Sequence, residues 1–326
     1  DDELVAALAR HQVLGAQGSA PGEFQNPRGV AVGDDGTLYV ADAGNHRVQV
    51  FSAAGQFVTS WGTRSLAEEE TGAPRGYNEP WDVAVGPAGD TYVADTWNHR
   101  IQRLDQDGQP VAHWGFFGGF GLEDERGGQG AFYGPRGVAV GPLVLDGPQA
   151  PPEGVAEGDT LVYVTDTGNK RVQVFHPDGR FAFQWGGGGA AEGYLDEPVG
   201  IALGPQGHVY VADTWNRRVQ VFDGDGTFLR GWPIQGWDSG IPEEKPYLTV
   251  GPQGRVYLTD PGYYRVLVFD RQGNYLLSFG EYGTDAQSFA LPQGIAVADD
   301  GSIYVSDAHG HRVLVFDPID FVALDQ

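Results

Sequence analysis

Six aspartates stand five residues ahead of six arginines: Asp42/Arg47, Asp95/Arg100, Asp166/Arg171, Asp213/Arg218, Asp260/Arg265 and Asp307/Arg312. Carboxylates and guanidiniums at a fixed spacing can serve as acids and electrostatic clamps, but a pair present in every copy of a unit serves the unit. The carboxylate is expected to accept turn N–H groups, and the arginine to bridge it or the next copy. A single ligand site needs asymmetry instead. Residues that break the pattern are therefore the candidates: Arg28, Trp81, Asp82, Trp97, Arg136, Trp215, Tyr247, Tyr263 and His309. Asp82 stands where four other copies have Gly29, Gly137, Gly200 and Gly294, and it has the chemistry to hold a cation or a ligand hydroxyl. His309 and His311 lie only two apart, whereas zinc needs three or four converging ligands, so no metal is expected.

The copies are versions of Leu38 to Phe51, LYVADAGNHRVQVF, which returns as TYVADTWNHRIQRL, LVYVTDTGNKRVQVF, HVYVADTWNRRVQVF, RVYLTDPGYYRVLVF and SIYVSDAHGHRVLVF. The last three steps between aspartates are 47 residues each, a repeat architecture. Within the first copy, Pro27 to Val32 reads as a strand, Asp34-Asp35-Gly36 as a turn, Thr37 to Ala41 as a second strand, Val48 to Phe51 as a third and Phe57 to Trp61 as a fourth. Four short antiparallel strands with glycine at the turns are the pattern of a propeller blade. Helical periodicity is confined to Glu3 to Arg10. The expected fold is all-β: one domain, 1–326, forming a six-bladed β-propeller with blades at about 27–62, 80–115, 135–186, 198–232, 246–280 and 292–317. The last copy lacks a fourth strand, and residues 11–15 resemble one. The N-terminal strand is thus predicted to pair beside 312–316 and close the ring, removing open edges.

The P-x-G-[IV]-A-V, Y-V-x-D-x-x-N-x-R-[VI]-Q-V-F and terminal W-G elements resemble NHL repeats over about residues 8–317. The resemblance implies a propeller and a spread of functions: protein binding, RNA binding, sensor ectodomains and, in relatives, lyases. Fold alone does not choose among them. The lyase relatives carry zinc-binding histidines just after the strand-opening proline. Here that position holds Arg28, Trp81, Arg136, Val199, Tyr247 and Gln293, without a histidine.

That position and the turn after the second strand fall on one face of a propeller, so the pattern-breaking residues are predicted to surround one mouth of the central channel, with exposed tryptophans as an interaction surface. The connection Phe116 to Gly134 carries Phe116, Phe117, Phe120, Phe132 and Tyr133, which either fold onto the blade or dock a partner. Residues 63–79 carry Glu68-Glu69-Glu70, and 233–245 carry Trp237 with Glu243-Glu244. A Pro-rich insert, Leu143 to Thr160, interrupts the third copy on the opposite face.

The net charge of −24 argues against nucleic acid, whose affinity rests on Lys and Arg contacts to phosphate. Absence of Cys excludes disulfides and thiolate ligands, and no phosphate-cradling or nucleophile-elbow motif occurs. No apolar run reaches the ~20 residues of a membrane span. A start at Asp1 and a chain without Met lead to the expectation of a processed or excised piece, part of a larger membrane-anchored protein and extracytoplasmic or at the cell surface. The expected function is non-enzymatic recognition of a protein or glycan through the aromatic face, without a cofactor. The alternative is a metal-assisted lyase or hydrolase at the channel mouth around Asp82 and His309.

Overall fold

A computed structural model of the chain describes residues 11–66, 76–119, 128–235, 237 and 245–321. Segment Glu3 to Arg10, the Glu68 and Glu243 clusters and Phe120 lie outside the described residues. Six four-stranded antiparallel sheets account for nearly all the regular structure there. In the first blade the strands are Pro27–Val32, Leu38–Asp42, Arg47–Phe51 and Phe57–Trp61, in spatial order from the axis outward. The innermost strands of the other blades are Pro80–Val85, Pro135–Pro142, Pro198–Leu203, Leu248–Val250 and Pro292–Val297. Each touches its neighbour around a closed ring.

The sixth blade is completed by His11–Leu14, which pairs antiparallel with Arg312–Phe316, His11 opposite Phe316 and Leu14 opposite Val313. The strand predicted to close the ring does so.

Apolar cores lie between blades, because each sheet buries both faces against its neighbours. One cluster joins Leu14, Val313 and Ala296 of the last blade to Val30, Leu38 and Phe51 of the first. The alternation of the second strand supplies this: Leu38 and Val40 face one neighbour, Tyr39 and Ala41 the other. The tryptophan ending an outer strand packs on the turn glycine of the following blade. A Cβ on Gly226 would come within 2.6 Å of the Trp185 ring, and Gly226 also has φ +88°, so glycine is required twice over.

The insert in the third blade extends its first two strands and leans on the fourth blade. Leu143 is buried, and Asp146 N–H donates to Asp223.

Candidate functional site

Asp42, Asp95, Asp166, Asp213, Asp260 and Asp307 are fully buried, and each receives its arginine Nε at 2.7–2.9 Å. Asp213 shows the arrangement. Its Oδ1 accepts the N–H of Asp196 at 2.6 Å, and its Oδ2 accepts from Arg218 and Gln220. Arg218 and Gln220 in turn donate to the carbonyl of Tyr194. Gln49, Gln102 and Gln173 repeat the glutamine's role, while Leu267 and Leu314 stand in its place in blades five and six.

Of the two roles expected for the arginines, bridging the aspartate or the next blade, the first is the one found, and their second contacts also fall within their own blade. Arg47 donates to the Glu23 carbonyl, Arg100 to that of Gly76, Arg171 to those of Gly128 and Ala131, Arg265 to that of Gln235 and Arg312 to that of Ser288. Every one of these carbonyls lies in the connection entering the arginine's own blade. The reason is register: Asp95 sits directly opposite Arg100, Asp166 opposite Arg171 and Asp260 opposite Arg265, at the strand ends where the incoming chain passes. Arg100 and Arg171 are themselves buried, at 4% and 3% exposed. Arg265 is held more loosely, its side chain 31% exposed and its carbonyl contact stretched to 3.5 Å, and it lies 5.0 Å from the Tyr263 ring.

The strand-opening residues meet at the ring's upper mouth. Trp81 is sandwiched between cations, with the Arg28 guanidinium carbon 3.7 Å and that of Arg136 4.4 Å from its ring centroid. Arg28 also donates to Gln293 of blade six, and Arg136 to Glu197 of blade four. Tyr247 of blade five reaches across the ring, its hydroxyl 3.1 Å from the carbonyl oxygens of both Trp81 and Arg136. Having one proton, it donates to one of them at a time. Burial holds the phenol pKa well above its ordinary value, with the Asp82 charge adding to this, so it stays a neutral donor.

The residues expected to form the aromatic face divide into buried and exposed ones. Trp81 and Tyr247 are only 4% and 3% exposed, because a large side chain at the narrow end of the ring fills it and stacks on its neighbours. Trp97, Trp215 and Tyr263 are exposed at 39%, 58% and 52%, and His309 is exposed as well. Trp97 meets Trp81 edge-on at 6.4 Å and continues through His99 to Phe117 and Tyr133, ring by ring. Phe132 is fully buried, whereas Phe116, Phe117 and Tyr133 are about half exposed. The loop therefore both anchors itself and presents rings. Trp237 is buried and donates to the Thr259 carbonyl.

Three features were not anticipated. Lys245, 1% exposed, pairs with Glu197 at 3.0 Å and lies 5.5 Å from the Trp215 ring. Burial opposes ionisation of Glu197, but Arg136 and Lys245 hold it below the usual carboxylate range. Glu79 and Glu197, each before a strand-opening proline, have φ +50° and +54°, in the left-handed region costly for such residues. Glu79 accepts the Trp97 indole N–H at 3.1 Å. The coincidence of Glu-Pro with Thr-Trp in blades two and four was the available signal. Finally, the Nδ1 atoms of His46, His99 and His311 accept the N–H groups of Glu79, Gly134 and Asn26, each in the following blade.

Asp82 lies against the axis, buried, with its Oδ2 3.0 Å from the Val138 N–H. Burial pushes its pKa up to about 8, against the lowering by the Val138 and Val83 amides. Among the described residues no three His, Asp or Glu side chains converge as a metal site would need.

The sequence profile of the NHL repeat matches residues 24–51, 77–104, 195–222 and 289–316, in blades one, two, four and six. The unmatched third blade carries the insert. The chain is 33% identical over 110 residues to human NHL repeat-containing protein 3, covering 32% of this chain and 30% of that protein. It is 32% identical to the Drosophila melanogaster protein brain tumor over 32% of this chain and 10% of the relative. A probable peptidyl-alpha-hydroxyglycine alpha-amidating lyase of Caenorhabditis elegans is 25% identical over 62% of this chain and 48% of its own length. The chain thus spans from a tenth to about half of these relatives. Among solved structures it is similar in fold to a Xanthomonas campestris gluconolactonase, with TM-score 0.63 and 16% identity over 97% of this chain and 93% of the other. It is likewise similar to a Staphylococcus aureus virginiamycin B lyase, with TM-score 0.58 and 15% identity over 95% and 99%. The chain is thus a six-bladed β-propeller in which four blades carry NHL repeats.

Proposed function

We propose that the protein is a recognition module whose partner is another protein, docking on the upper face. The observation that carries this reading is the continuous run of rings from Trp97 through His99 to Phe117 and Tyr133, in which Trp97, Phe117 and Tyr133 depart from the first blade's pattern. Trp215 extends the aromatic surface on blade four. Rings of this size supply most of the binding energy at protein interfaces, and they are costly to leave in water without a use. Similarity to NHL-repeat proteins over a third of the chain supports the reading. We place the module outside the cytoplasm or at the cell surface, within a larger anchored protein. Among the described residues no helix is long and apolar enough to cross a membrane.

The test is affinity for a partner captured by the wild-type domain. Trp97→Ala together with Trp215→Ala should weaken binding by about 30-fold or more. Unchanged affinity would overturn the assignment of the face, and capture of glycan in place of protein would overturn the partner class. A second reading, lyase or hydrolase activity, draws on the similarity to the amidating lyase. Turnover abolished by Asp82→Ala, in a folded variant, would establish it.

A further inference from the structure

The channel is blind. Tyr247 closes its upper end, while the lower end opens on the face of the turns between first and second strands. A cavity of about 270 Å³ runs down the axis from Asp82 and Tyr247, lined by Val30, Val83, Val138 and Ile295 among others. Val32, Val85, Val140 and Leu203 line both this cavity and a wider vestibule of about 1050 Å³ below it, so the two adjoin at these side chains. Asp34, Asp35 and Asp107 are among the residues lining the vestibule, and among the described residues no Lys, Arg or His lines it.

The walls are not simply apolar. Each innermost strand is hydrogen-bonded on one side only, so its other edge turns N–H and C=O groups toward the axis. Asp82 is the ionisable side chain at the closed end, apart from the phenol of Tyr247. Arg28 and Arg136 act on this end through Tyr247, which feels both. They are engaged with Trp81, Gln293 and Glu197.

We propose that this channel binds a slender organic polycation, a linear di- or polyamine, which enters from the acidic lower face and sets one terminal ammonium on the Asp82 carboxylate. Charge selects the sign: acidic at the vestibule, acidic at the blind end, and −24 overall. Shape selects a chain, since the volume is below that of drug-sized pockets. The N–H donors repeated along a polyamine match carbonyls repeated along strand edges. A hard divalent ion fits less well, because it takes six or more oxygen ligands, usually several of them carboxylates. This site goes beyond the recognition face: it is entered from the opposite, lower face and ends inside the ring beneath Tyr247.

Binding is coupled to a proton. The empty site holds Asp82 protonated at neutral pH, and the arriving ammonium displaces that proton to solvent as the carboxylate forms. Titration calorimetry with 1,4-diaminobutane and with spermidine, at pH 6.5, 7.5 and 8.5, tests this. The expected result is one site per chain, with affinity falling toward tenfold per pH unit below about 8. Asp82→Asn retains an oxygen acceptor for the Val138 N–H and should lose both the affinity, by tenfold or more, and the pH dependence. Buffers of different ionisation enthalpy give a second readout on the wild type alone: close to one proton released per amine at pH 6.5. No saturable binding, equal binding by Asp82→Asn, no proton release, or displacement of the amine by stoichiometric calcium would each overturn the proposal. Trp97→Ala with Trp215→Ala should leave amine binding intact, which separates failure here from failure of the recognition face.

Discussion

The hydroxyl of Tyr247 lies 3.1 Å from the carbonyl oxygen of Trp81, so a side chain of blade five is hydrogen-bonded to blade two across the ring axis. The link is possible because Gly200, next to it in blade four, lets the strands close up: a Cβ there would come 2.8 Å from the Tyr247 Cα. Tyr247→Phe keeps the ring and removes the donor, leaving a buried carbonyl short of one bond. It should cost about 1–3 kcal/mol. Tyr247→Ala should cost about 3–5 kcal/mol, the range for large aromatic truncations in cores. Chemical denaturation of the two variants checks the order, and a Phe variant as stable as the wild type would mean that the hydroxyl contributes nothing.

The buried aspartates make a second prediction. Asp213 holds an incoming amide, an arginine and a glutamine at once, so removing it strands all three. Asp213→Ala should lower stability by about 3–5 kcal/mol, the cost of leaving one member of a buried ion pair alone. Partner binding at the Trp97 surface in blades two and three should survive, and a variant of wild-type stability that no longer binds would reassign the residue to function.

The histidines that accept backbone amides between blades predict acid sensitivity. Burial is the first cause holding His46, His99 and His311 below the ordinary value near 6.5. A base with a depressed folded-state pKa binds its proton more readily when unfolded, so its contribution is whole above about pH 6.5 and shrinks as the pH falls. The histidines should therefore lower the melting temperature between pH 7.5 and 5.5, while protonation of Asp82 works the other way over the same range, so the readout is the difference between wild type and a histidine variant. His99→Asn, whose Oδ1 can accept the Gly134 N–H and which tolerates the left-handed φ of +54°, should reduce that drop while keeping the fold. An unaltered pH profile would show that this latch is not titrating.

Much of this molecule was legible in advance because a propeller writes its period into the chain. The spacing from Asp42 to Asp307 marks six turns, and the unpaired strand at His11 answers the missing one after Phe316. The pairing of Arg100 with Asp95 was legible from their spacing too, but not the Gly76 carbonyl that Arg100 also holds, since that depends on where the incoming connection runs. Burial at the mouth was equally hidden. Whether Trp81 points to water or fills the ring depends on how closely Arg28 and Arg136 approach from either side, and strand spacing does not encode that. The same holds for Lys245. It sits in a connection outside the repeat, and only the fold brings its ammonium beneath Trp215 and onto Glu197.

Trp97 and Trp215 occupy matching positions of two blades, yet their surroundings predict different costs. The Trp97 indole donates to Glu79 and packs edge-on against Trp81, so part of its surface supports the mouth. Trp215 is 58% exposed, and Lys245, 5.5 Å from its ring, is already paired with Glu197. Trp215→Ala should thus change stability by less than about 1 kcal/mol, and Trp97→Ala by about 1–3 kcal/mol. If the upper face is the recognition surface, the ranking differs for binding, where exposed rings count most: Trp215→Ala should lose affinity out of proportion to its small effect on folding. Thermal denaturation and partner affinity, measured on the same two variants, decide it. A Trp215 variant unchanged in both would confine recognition to the Trp97, Phe117 and Tyr133 side of the face.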